Sequence, residues 1–77
     1  MTLEIISPDQ VIFSGEVVSV QLPGADGYFE ILSGHAPIIS TLNKGKIRII
    51  LENGERQVFN TNKGFAEVLN NKITVLV

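Results

Sequence analysis

The sequence of 77 residues has no cysteine, no tryptophan, one histidine, three prolines and only five aromatic rings, four phenylalanines and one tyrosine. Without cysteine no disulfide can form, and a structural zinc would have to rely on one imidazole and carboxylates, so neither staple is expected. The net charge of −2 comes from scattered residues with no basic run, which leaves out the electrostatic footprint that nucleic-acid binding needs. The longest apolar runs, such as Val17-Val18 and Ile49-Ile50-Leu51, fall far short of the roughly 20 residues that span a bilayer. Met1-Thr2-Leu3-Glu4 offers neither the basic start nor the apolar stretch of a signal peptide. The expectation is a soluble, non-secreted domain covering residues 1–77, reaching any membrane only through a partner. A chain this short buries about 60% of its unfolded surface, so its core is thin.

What is present is a strand pattern. No window holds the helical i, i+3, i+4, i+7 spacing, whereas short β-rich runs are punctuated by turn residues. Leu3 to Ser7 stops at Pro8-Asp9, and Val11 to Phe13 is expected to break at Ser14-Gly15. Val18, Val20 and Leu22 then alternate with Ser19 and Gln21, the period of a half-buried strand. Tyr28 to Leu32 and Ile38-Ile39 flank a Gly-His-Ala-Pro corner. Lys46 to Leu51 sets Ile47, Ile49 and Leu51 against Lys46, Arg48 and Ile50. Asn53-Gly54 predicts a type I′ hairpin, and Asn70-Asn71 predicts another because asparagine tolerates positive φ. The fold class expected is all-β, a two-layer antiparallel β-sandwich or flattened barrel of about eight to ten short strands. Val17-Val18, Ile38-Ile39 and Ile49-Ile50 must each turn one apolar side chain away from the core. These are either scattered surface hydrophobes or parts of a docking face, and the pattern favours the docking face.

The residues argue against catalysis. His35 is the sole imidazole, with Ser33 and Asp26 near in sequence, but a glycine-punctuated loop gives such a trio little preorganisation. His35 is better read as shaping a turn and making an interface contact. Glu52 and Glu55 flank a turn, while Glu4, Glu16 and Glu67 fall on separate strands; no pair has acid–base spacing. Gly24, Gly27 and Gly34 precede no helix, so they form no phosphate cradle. The phenylalanines read as core and are too scattered for a base-stacking platform. Tyr28, at a loop edge beside Asp26-Gly27, reads as an interface anchor.

Ile5-Ile6-Ser7-Pro8-Asp9 with Phe13-Ser14-Gly15-Glu16-Val17, Leu22-Pro23-Gly24 leading to Gly27, and Ile31-Leu32-Ser33-Gly34-His35-Ala36-Pro37 carry a resemblance over the whole chain. Leu42 to Gly45 with Ile47-Arg48-Ile49 and the closing Gly64-Phe65-Ala66-Glu67-Val68 and Asn71-Lys72-Ile73-Thr74-Val75-Leu76 extend it. The chain resembles the N-terminal β-sandwich domain of the epsilon subunit of F-type ATP synthase. It departs from that pattern at Glu30, where a glycine is usual, at Ser33, where a proline is usual, and at Lys63-Gly64, where a glycine pair is common.

The resemblance implies a non-catalytic part of the rotor's central stalk, coupling proton flow to ATP synthesis while docking on the gamma subunit and on the polar loops of the c-ring. By matching position it puts Asp26, Gly27, Tyr28 and Phe29 toward the c-ring, and Ser7, His35 and Ser40 toward gamma. It implies no cofactor and no metal, and a peripheral place on the cytoplasmic face of the bacterial inner membrane. Many members continue into a two-helix hairpin; the sequence stops at Val77, so hairpin-mediated inhibition and ATP binding are not expected of these residues. The competing reading is a generic β-sandwich adaptor for peptide or carbohydrate, which would need a concave aromatic site.

Overall fold

Apolar–polar alternation with a period of two runs through the computed structural model, which describes residues 1–77 and holds eight strands and no helix. In chain order these are β1 (Thr2–Ile6), β2 (Val11–Gly24), β3 (Gly27–Leu32), β4 (Ile38–Leu42), β5 (Gly45–Leu51), β6 (Arg56–Thr61), β7 (Gly64–Leu69) and β8 (Lys72–Leu76). One layer runs β2-β1-β8-β7-β4 and the other β3-β2-β5-β6, with β2 shared between them. A bridge at Gly24↔Leu42 joins β2 back to β4 and closes a ring of strands. This is the expected sandwich with one difference in sense. Every pair is antiparallel except β1 with β8, which run parallel in register from Thr2↔Lys72 to Ile6↔Leu76. Parallel neighbours need a long connection, and the first and last strands have the rest of the chain between them.

The predicted break at Ser14-Gly15 is absent: Glu4↔Ser14 and Leu3↔Gly15 carry the ladder straight through, so β2 is one strand of 14 residues. A Cβ at position 15 would lie 3.3 Å from the Phe13 ring, so the ring would have to give by a few tenths of an ångström to admit a side chain there. Further along, the pairing of β2 with β5 slips between Val17 and Ser19. This bulge displaces the expected face. Val17, Val20 and Leu22 are buried, while Val18 is 46% exposed. Ser19 is buried, and its hydroxyl donates to the Glu30 carboxylate at 2.8 Å.

The two asparagine turns also separate. At Asn70-Asn71 both residues have positive φ, 51° and 61°, between the paired Leu69 and Lys72, as a two-residue type I′ turn requires. At Asn53-Gly54 only Gly54 has positive φ, 88°. Gly54 N–H donates to the Leu51 carbonyl (2.9 Å) and Leu51 N–H to the Glu55 carbonyl (2.8 Å). The connection is therefore a longer bulged loop over Glu52, Asn53 and Gly54, and the type I′ expectation is corrected there. Asn53 serves differently, its side-chain oxygen accepting the Glu55 N–H at 2.9 Å.

Thirteen apolar residues fill the space between the layers, among them Leu3, Ile5, Val20, Leu22, Ile31, Ile47, Ile49, Ile73 and Val75. Ile47 and Ile49 point inward and Lys46 and Arg48 outward, as the alternation in β5 predicts.

Candidate functional site

The turn from β2 to β3 is built by two glycines with different jobs. Gly24 sits so close to Phe29 that a Cβ would stand 2.8 Å from its ring, and Gly27 takes φ 127°, where L side chains are strained. The turn projects Asp26 into solvent and delivers Tyr28, which is 51% exposed. Exposure does not make Tyr28 loose. Its hydroxyl oxygen accepts the Lys46 N–H at 3.0 Å, and the Arg48 guanidinium lies 5.8 Å from its ring centroid. A Cβ on Gly45 would fall 2.6 Å from that hydroxyl and 2.7 Å from Pro23 Cβ. The ring thus rests over the first residue of β5, and only glycine leaves space for it.

Asp26, Gly27, Tyr28 and Phe29 form one wall of a groove of about 490 Å³; Ile38 through Thr41 of β4, Ser40 included, form the other. Ser40 shares the inward side of β4 with Ile38 and Leu42, and its hydroxyl donates to the Thr41 carbonyl at 3.0 Å. The fold therefore unites Ser40 with the four loop residues, although the sequence reading assigned them to different partners.

Ser7 and His35 lie elsewhere. Ser7 closes the β1–β2 turn, with its N–H 2.9 Å and its hydroxyl 3.2 Å from the Gln10 carbonyl, beside Ile6, Pro8, Leu76 and Val77. His35 shapes the β3–β4 corner, as expected of it. Its N–H donates to the Leu32 carbonyl (3.1 Å) and its Nδ1 to the Ala36 carbonyl (2.7 Å). The imidazole lines no groove with an acid or a serine. Ile6 pairs with Leu76 at one end of β8, while Gly34 N–H donates to Asn71 Oδ1 (2.8 Å) just before the other end. Ser7 and His35 consequently mark opposite ends of that strand.

Asn71 is the residue that sequence reasoning undervalued. Beyond its turn geometry, it holds the His35 loop through Gly34 and accepts the Thr2 N–H on its carbonyl at 3.0 Å. Its positive φ could be foreseen, but the reach of its side chain to the β3–β4 loop could not. The apolar pairs behave as expected: Val18 and Ile39 face out while Val17 is buried and Ile38 is half-buried. The register also aligns Ile6, Leu76 and Phe65 across β1, β8 and β7, with Leu76 and Phe65 exposed.

The profile described as the ATP synthase delta/epsilon chain β-sandwich domain matches residues 1–77. The chain is 45% identical over 74 residues to the ATP synthase epsilon chain of Chlorobium limicola, covering 96% of this chain and 84% of that one. It is 49% identical over 74 residues to the epsilon chain of Lawsonia intracellularis, of which it spans only 55%. Its fold superposes with a TM-score of 0.90 on a chain of the Euglena gracilis mitochondrial ATP synthase OSCP/F1/c-ring assembly, at 22% identity, covering 97% of this chain and 48% of that one. A chain of the Tetrahymena thermophila mitochondrial central stalk and c-ring gives a TM-score of 0.82 at 13% identity, covering 99% of this chain and 61% of that one. Matched along its whole length, the chain belongs to the β-sandwich family of ATP synthase delta and epsilon chains, and the epsilon chain is a non-catalytic coupling subunit of that complex.

Proposed function

We propose that this sandwich docks on the gamma subunit along one broad face and on the c-ring loops through the β2–β3 turn, at the cytoplasmic face of the bacterial inner membrane. The observation that carries the c-ring contact is Tyr28: exposed, yet held by the Lys46 N–H and seated over Gly45 and Pro23. A coupling part needs a protruding contact that does not swing, and a fixed aromatic with a polar tip meets that need. Ser7, His35 and Ser40 share no groove, so a gamma contact through all three would run the length of β8. That suits a protein interface of about 800 Å² per partner better than a pocket. The exposed row of Phe65 and Leu76 adds apolar area on the same sheet. The reading as a generic adaptor for peptide or carbohydrate through a concave aromatic site is weaker, since no groove gathers more than the two rings of Tyr28 and Phe29.

The direct test is association of the purified chain with isolated gamma by gel filtration and calorimetry. A stable one-to-one complex supports the reading, and no association with folded gamma overturns it. Tyr28→Asp tests the c-ring contact: it should release the chain from membranes carrying the complex while circular dichroism stays unchanged. Unfolding of that variant would make Tyr28 a core residue instead.

A further inference from the structure

The two strands that wall the groove have edges that no other strand covers. β3 pairs only with β2, and β4 pairs with β7 and meets β2 only at Gly24↔Leu42. The direction of their backbone groups follows from that junction. Ala25 N–H donates to the Thr41 carbonyl at 3.2 Å and Asn43 N–H to the Pro23 carbonyl at 2.8 Å. Thr41 therefore turns its backbone away from β7, and by alternation Ile39 does the same. Pro23 turns its carbonyl away from β3, so Tyr28, opposite it, turns its own N–H and C=O away from β2. Glu30 follows by the same alternation. Backbone donors and acceptors at strand spacing thus face outward along the free edge of β3, from Tyr28 in the groove and from Glu30 beyond it, and from Ile39 on the opposite wall.

Exposed edges of natural sheets are guarded by lysine, proline, inward charges or bulges. β4 reads Ile38-Ile39-Ser40-Thr41-Leu42, with no charge and no proline, and its register with β7 is unbroken. Ile39 is 65% exposed. On β3 the only charge is Glu30. An edge left this open is suited to pairing with another extended backbone, whose main chain supplies affinity and whose alternate side chains supply selectivity. The rim gives the sign of those side chains. Asp26 lines the groove and Glu67 lines the hollow beyond Ile39, with Pro37 and Leu69, while no lysine or arginine lines either.

We infer that the β3/β4 edge is a strand-addition site for an extended segment of a partner protein in which apolar residues alternate with lysine or arginine. The probe is a synthetic heptapeptide alternating lysine and valine, blocked at both ends, titrated into the isotopically labelled chain. Saturable binding should slow amide exchange at Tyr28, Glu30 and Ile39 and leave Phe29 and Ser40, already in ladders, unaffected. Ile39→Pro removes the N–H that points into the groove, together with the exposed side chain, and spares the ladder bonds to β7. It should weaken binding about tenfold, the worth of one or two backbone hydrogen bonds, with an unchanged circular dichroism spectrum. Should that variant fail to fold, the same peptide methylated on every backbone nitrogen replaces it and should not bind. The inference falls if the peptide binds without slowing exchange at these amides, or if Ile39→Pro or full methylation leaves affinity intact. It also falls if a glutamate–valine peptide binds equally well, or if nothing saturates at millimolar concentration. Protection in the peptide-free chain together with dimerisation would make the occupant a second copy and overturn the partner assignment.

Discussion

Where β2 and β6 come together, the rings of Phe13 and Phe59 pack with centroids 5.8 Å apart and planes inclined at 58°, both half-buried against the core. On the flank between β3 and β4 there is a groove instead, with Tyr28 and Ile39 exposed on its two walls. Both flanks end in a strand with one neighbour, β6 and β3, but on the first two rings pack together and on the second the walls stand apart around a groove. Both cover the same thin core, so an open flank is not a general consequence of small size. Thirteen buried apolar residues are enough to hold the layers together, and residues at the open flank are left free for contact with other molecules.

Four substitutions would break or sharpen this contrast. The largest effect should come from Ile31→Ala. β3 has one strand neighbour, and Ile31 is its fully buried inward side chain. The open-flank strand therefore stays in place through its core contacts, and emptying that site should cost about 2–5 kcal/mol in chemical denaturation. For a domain of this size each kcal/mol corresponds to about 4–8 °C in Tm. If the loss is small, β3 is held by something other than its core side chain, and the contrast between the flanks is wrongly drawn.

Phe59→Ala attacks the sealed flank. It removes a half-buried ring and a tilted aromatic contact, for an expected loss of about 2 kcal/mol. A double-mutant cycle with Phe13→Ala should return a coupling of about 1 kcal/mol. Zero coupling would mean that the rings are merely near each other and that the seal lies elsewhere.

Asn71→Ala comes next, at about 1–2 kcal/mol, from positive φ forced on a residue without asparagine's tolerance of it and from the lost acceptor for Gly34 N–H. Asn70→Ala at the neighbouring position loses only the conformational part. The difference between the two variants isolates the tether on the His35 loop, which amide exchange at Gly34 should report directly.

These positions also show how far the sequence could be read. The Asn70-Asn71 turn, the inward face of β5 and the split apolar pairs depend on neighbours within a few residues, and the fold keeps all of them. The misreadings arise where distant strands decide. Ser14-Gly15 carries local turn signals, yet β1 pairs across it. The bulge at Val17/Ser19 needs no particular residue type, only a partner strand that slips by one position. The parallel β1–β8 pair joins the two ends of the chain, which no local window contains. The site divides in the same way. Tyr28 was legible as an exposed aromatic beside a glycine turn, but its seat on Gly45 and its meeting with Ser40 across a groove depend on tertiary packing.

The smallest effect on stability should come from Ile39→Lys, and it is the most informative about the open flank. Ile39 is mostly exposed, and its side chain lies outside the buried core. Substitution at such a site should move stability by no more than about 0.5 kcal/mol. Lysine is also the residue with which natural sheets guard an edge. If the open flank is a surface kept for a partner, Ile39→Lys should leave the denaturation midpoint in place while reducing capture of the lysine–valine peptide, since it sets a cation among the ligand's own. If instead the unfolding free energy falls by more than about 1 kcal/mol, Ile39 supports the fold. The β3/β4 flank is then sealed by side chains after all, and the difference from the Phe13–Phe59 side is one of degree.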